Sequence, residues 1–179
     1  MANPNHVEIL RKGKEFWNRW RKESLGVKPD LSQFGLDRNI VYSGCLCEVD
    51  TDFSGYDLRG VDLRRSAILR PNFFGADLRE ANLAHATFVS ANFKEANLCG
   101  ASFIGATAQF SDFSDQDLRT VLLGGAELKG SDLSRASLSG VYLRETNFSC
   151  SNLSEANLVN SNLTSANLNE TNCERTILT

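Results

Sequence analysis

At 179 residues and 41% hydrophobic content, the chain has the length of one domain and enough apolar side chains to form a core. Its net charge of −3 is too small to mark a nucleic-acid-binding protein or a highly charged mimic. No run of 18 apolar residues exists, so no membrane span is expected, and the polar, charged N-terminus lacks a secretory apolar stretch, which points to a cytoplasmic protein.

Residues 1–28 are expected to form an amphipathic capping helix. They carry seven basic residues against Glu8, Glu15 and Glu23, a net +4. Asn3-Pro4 is an acceptable start, because proline at the first helical position gives up no hydrogen bond. Over residues 5–24, Ile9, Phe16 and Trp20 fall on one stripe with Leu10 and Trp17 beside it. Docked on a folded body, Leu10, Phe16, Trp17 and Trp20 would cover the end of its core. Left free, the same basic aromatic helix would suit a membrane surface or a partner.

Residues 29–50 are transitional. Leu31, Leu36, Val41 and Leu46 keep a spacing of five in a phase of their own, which reads as an irregular first coil. Cys45 and Cys47 are two local thiols, or a strained local disulfide. A metal site there would need more ligands than His6 and His85 supply. Cys99, Cys150 and Cys173 suggest no bridge.

From residue 51 to the end, a large apolar residue recurs at every fifth position without a phase shift, from Phe53 and Leu58 to Leu178. Of these 26 units, 23 have Leu or Phe at the centre. Two residues before the centre the side chain is small, Ala in 11 units, and Asn or Asp lies between the two in 17. A period of five fits neither a helix, whose apolar stripe would wander, nor a continuous strand, whose centres would alternate faces. The chain must therefore turn in every unit. The small residue and the centre face inward, the Asn or Asp outward, and the last two residues form the corner. Four sides per turn would stack residues 20 apart. That gives one column of Phe53, Phe73, Phe93 and Phe113, and another of Leu58, Leu78, Leu98 and Leu118.

Segments such as GADLREANLAHATF and SEANLVNSNLTSANLNETN resemble the A-(D/N)-L-x-x motif of the pentapeptide repeat family, and the resemblance covers residues 51–178. It implies an all-β solenoid: a right-handed quadrilateral β-helix of about six and a half coils, about 31 Å long. Soluble repeats of this length are typical of cyanobacteria. One branch of the family mimics duplex DNA and modulates DNA gyrase, but its members are strongly acidic and dimerise through a C-terminal extension. This chain departs from them in Arg59, Arg64, Arg65, Arg70, Arg79 and Arg119, and in its ending at Thr179.

No catalytic, cofactor or metal motif stands out, and scattered acids in such an array are structural. A filled rod offers flat faces instead of a pocket, so the expected role is a non-enzymatic scaffold for a protein partner. Arg59, Arg64, Arg65, Arg70 and Arg79 with Phe74 and Phe110 are the candidate contact surface. Departures from the pattern complete the picture. Ala108 replaces a large centre, with Phe110 either turning in to compensate or exposed. Tyr56, Pro71 and Gln116 fill sites that are otherwise small. Phe74, Ile104, Leu122 and Tyr142 stand at polar sites; scattered they are ordinary surface, contiguous they would mark a contact. The repeat phase persists to Leu178, so an open last coil that pairs two copies is also expected.

Overall fold

The computed structural model describes residues 1–34 and 52–178. The Cys45–Cys47 pair and the candidate coil positions Leu36, Val41 and Leu46 lie outside the described residues.

The five-residue period becomes a coil of 20. Parallel β-bridges join Asp52 to Asn72, Asp57 to Asp77, Asp62 to Asn82 and Ala67 to Thr87, and the same spacing recurs up to Asn157 and Ile177. At five residues per unit, each coil has four sides, here numbered first to fourth in the order of those four bridges. The chain is a right-handed quadrilateral β-helix with helices at its N-terminal end.

One unit shows why these residue types are needed. The Ala76 N–H donates to Phe73 O at 2.9 Å, closing the preceding corner. The Asp77 N–H donates down to Tyr56 O and the Leu78 N–H up to Asn97 O, both at 2.9 Å. The Glu80 N–H donates to Cys99 O at 2.9 Å. That leaves the Arg79 N–H, which donates to the Asp77 carboxylate at 3.3 Å. Five donors have five acceptors, and the Asn or Asp of the motif supplies the one that the backbone ladder cannot. Glu80 closes the corner with φ 58°, in the left-handed region. Among the described residues, sixteen corners between Gly55 and Arg175 close this way on a residue with a side chain, a strain that the ladder must outweigh.

The core is the rod axis. Phe53, Phe73, Phe93 and Phe113 stack with ring centroids 5.2, 5.1 and 4.7 Å apart. Leu58, Leu78, Leu98 and Leu118 form the neighbouring buried column, as their spacing requires. Ala108 is fully buried in a coil that also holds Phe93 and Phe103, whose rings meet edge-on at 5.3 Å. Phe110 does not turn in: it stays 56% exposed.

Where a single helix was expected over residues 5–24, two form: α1, Pro4–Arg11, and α2, Lys14–Glu23. Gly13 divides them. At φ 89° it ends α1, donating to Leu10 O at 3.0 Å, and its own carbonyl accepts from Trp17 N at 2.9 Å to begin α2. The pair caps the rod. Leu10 and Trp17 are buried and Trp20 is half-buried, but Phe16, expected in the docked face, is 42% exposed and lies under the Lys12 ammonium. Asn18 acts as a substitute strand. Its side chain donates to Gly55 O at 3.0 Å and accepts from Asp57 N at 2.8 Å. Trp17 Nε1 and an Arg21 guanidinium nitrogen donate to the carbonyls of Asp57 and Arg59. The lower edge of the first full coil thus finds partners in side chains of α2. Residues 29–34 cover the third side of that edge and reach the fourth, Asp30 pairing with Asp62 at an offset of 32 residues, one coil plus 12. Leu31 is thereby a buried centre beneath Leu63.

At the far end, burial fades over residues 161–178: Leu168 is 39% exposed, Ile177 51% and Leu178 59%.

One corner is irregular. Among the described residues, every corner from Gly55 to Arg175 closes on a left-handed residue except the one at Thr120. A β-branched side chain resists that conformation. The ladder is interrupted on both sides of this corner, with no bridge between Asn97 and Asp117 or between Leu122 and Tyr142. Bulk adds to the effect, since Gln116 fills a small site and Val121 lies beneath Val141. Thr120→Gly is expected to regularise the corner and slow amide exchange at Leu98 and Leu123. Unchanged exchange at both would shift the cause to Gln116 and the valine pair.

Candidate interaction surface

The sequence-predicted contact residues do not share one surface. Arg59 and Arg79 lie at the corner after the second side, Arg64 and Arg65 after the third, Arg70 and Phe110 after the fourth, and Phe74 after the first. Three of the arginines are also already engaged. Arg59, Arg64 and Arg79 each grip the aspartate two residues earlier at 2.6 Å. Among the described residues, Arg65 and Arg70 are exposed with no carboxylate within 4.0 Å.

These ion pairs set the acid response. Burial works to raise the Asp57 and Asp62 pKa values, but hydrogen bonds from Arg59 and Arg64 outweigh it and both fall below the usual range. Hydrogen bonds from the Ser54 backbone, Arg135 and Arg119 lower Asp52, Asp115 and Asp117 in turn. A pKa lower in the folded state gives stability that is present above the unfolded value, about 3.9, and lost as pH falls through the folded one. The urea midpoint should therefore hold near neutrality and drop below about pH 4. A midpoint that rises on acidification would contradict this.

The contiguous apolar surface lies on the third side. Ile104, Leu122 and Tyr142 are 43%, 51% and 54% exposed, and they border a recess of about 310 Å³. Gly124 and Gly125 form its floor. The Tyr142 ring packs over Gly124, where an added Cβ would meet it at 3.4 Å. Arg144 and Glu145, joined at 3.0 Å, form the rim.

The side chains at 122 and 142 that make the patch apolar also leave backbone donors free, as Ser102 does for Ile104. Leu122 and Tyr142 occupy the position where Asn or Asp would accept from the N–H two residues on. Among the described residues, the N–H groups of Ile104, Gly124 and Arg144 have no acceptor, and the interrupted ladder leaves that of Leu123 in the same state. In the sequence these three stood with Phe74 as apolar residues at polar sites, scattered or contiguous. The signal that unites two of them is the 20-residue spacing of Leu122 and Tyr142.

A second recess of about 580 Å³ opens at the other ladder gap, beside Asn97, Gln116 and Arg119. Among the described residues, no cluster of His, Cys, Asp or Glu could hold a metal, and Cys99, Cys150 and Cys173 are exposed free thiols. No described helix is long and apolar enough to cross a membrane. The aromatic face that a membrane-bound helix would use is largely taken up by the rod, with Trp17 at 0% exposure.

No curated protein matches the chain. Among solved structures, it is similar to trypsin-treated QnrB1, a plasmid-mediated fluoroquinolone resistance protein. The two are 21% identical over 72% of this chain and 77% of that one, with a TM-score of 0.36. It is also similar to HetL, a pentapeptide repeat protein involved in heterocyst differentiation regulation from the cyanobacterium Nostoc sp. strain PCC 7120. Here identity is 26%, coverage 71% and 72%, and the TM-score 0.32. A pentapeptide repeat protein of the Arabidopsis thaliana thylakoid lumen is 26% identical over 66% of this chain and 65% of that one, at a TM-score of 0.21. The family model described as pentapeptide repeats matches in eight copies over residues 76–119, 111–149, 122–158 and 146–179. With more than half its length so matched, the chain belongs to the pentapeptide repeat family.

Proposed function

We propose that the protein is a non-enzymatic scaffold, placed in the cytosol, that holds a protein partner against the third side of its rod. The recess bounded by Ile104, Leu122 and Tyr142 carries this reading, because it joins exposed apolar area to unpaired backbone donors on a rigid frame. The mixed apolar and arginine-bearing character of this side is unlike the anionic surface that a duplex mimic needs.

A photo-cross-linking side chain placed at Ile104 should yield a discrete adduct in cells that make the protein. The same group at Lys94, on the first side, should not. The double variant Leu122→Asn, Tyr142→Asn should abolish the adduct and still fold, since Asn82 and Asn162 occupy the same column. Equal adducts from both positions, or none, would overturn the proposal.

Pairing of two copies is a second reading, favoured by the exposed Leu168 and Ile177 of the last coil. Sedimentation showing a dimer that Leu168→Asp dissociates would support it. A monomer at high concentration would remove it.

A further inference from the structure

We infer that the third side takes an extended peptide bearing one apolar side chain and, about four residues away, one carboxylate. The inference rests on the recess reading above and extends it along the rod.

Another recess, about 620 Å³, shares Ile104 with that of the third side and runs toward the capped end past Asn82, Arg64 and Arg65. The two adjoin at Ile104 and differ in character. The upper one is apolar, at Leu122 and Tyr142, and the lower one is basic. Arg64 there is neutralised by Asp62 at 2.6 Å. Arg65 is exposed and, among the described residues, has no carboxylate within 4.0 Å, so its charge faces the lower recess uncompensated.

The spacing follows from the ladder. The corner of Arg65 lies three coils below that of Gly125, about 14 Å at the separation of stacked strands. An extended peptide advances about 3.3 Å per residue, so about four residues span the distance. Between the two anchors, the N–H groups of Ile104 and Gly124 are unpaired among the described residues, and that of Arg144 lies just above them. They are free to donate to carbonyls of an extended main chain, which presents acceptors along its length. A purely apolar occupant would leave Arg65 unused and these donors without acceptors. A helix would have its own carbonyls already engaged.

The test uses synthetic nonapeptides of Gly and Ser carrying one Phe and one Asp at separations of two, four or six, titrated into the isotope-labelled full chain. The separation of four should bind best and shift the amides of Ile104, Gly124 and Arg144. Arg65→Glu should weaken it about fivefold, and a peptide with Lys in place of Asp should recover binding to that variant. Binding indifferent to separation, or to the sign of the charge at residue 65, overturns the inference. If a Phe-only peptide shifts the same amides equally, the recess reading stands and the carboxylate anchor falls. If no peptide moves these amides while the Ile104 cross-link still forms, this inference fails and the scaffold reading survives.

Discussion

Phe93→Ala is expected to destabilise the rod by about 3–5 kcal/mol, the range for removing a fully buried aromatic ring. Phe93 is 0% exposed and sandwiched between Phe73 and Phe113 at 5.1 and 4.7 Å, with Phe103 edge-on at 5.3 Å. Collapse around the vacancy is restricted, because coil spacing is fixed by backbone bonds on the same side. Phe93 N and Gly75 N donate to Asp112 O and Lys94 O at 3.1 Å each. The neighbouring Ala108 already leaves this coil with a small centre, so a second one has little to lean on. Leu168→Ala provides the contrast, since its side chain is 39% exposed and should cost under about 1 kcal/mol. Urea unfolding followed by circular dichroism measures both. Similar losses for the two variants would contradict a core whose stability is concentrated mid-rod.

The second large effect is expected at the cap. Trp17→Ala removes a fully buried indole, again a loss of about 3–5 kcal/mol, and leaves the Asp57 carbonyl without its 2.8 Å donor. The consequence should be local, because each coil touches only its neighbours. The variant should release α2, free the Asp57 N–H from Asn18 and raise exchange along the first full coil, while amides beyond residue 110 stay protected. Trp17→Phe should keep most of the packing and lose the hydrogen bond. Uniform loss of protection along the rod would show that the cap and the coils unfold as one unit.

The repeat could be read because it is a matter of spacing. A centre every fifth position, a small residue two earlier and Asn or Asp between them define which groups point inward, and the observed bridges at 20 residues follow. The twofold role of Asn and Asp, outward-facing yet bonded to the N–H two residues on, shows only in the geometry, as at Asp77 and Arg79. The capping helix was legible in its aromatic stripe. Its division was not, because Gly13 inside an apolar periodicity costs a helix only about 1 kcal/mol and gives no sign of a positive φ. The contact surface was least legible. The arginines stood out by charge, yet Arg59, Arg64 and Arg79 spend it on neighbouring aspartates. Ile104, Leu122 and Tyr142 looked scattered along the chain, and only the winding brings them round one recess. Thr120 carried a readable warning, a β-branched residue at a corner that otherwise closes left-handed.

Amide hydrogen exchange of the full chain, with and without the partner captured at Ile104, addresses the working surface most directly. Protection is predicted at Ile104, Leu123, Gly124 and Arg144, four donors on the third side that lack acceptors among the described residues. Protection confined to the second side around Asn97 and Arg119, or to the coil over residues 161–178, would contradict the account.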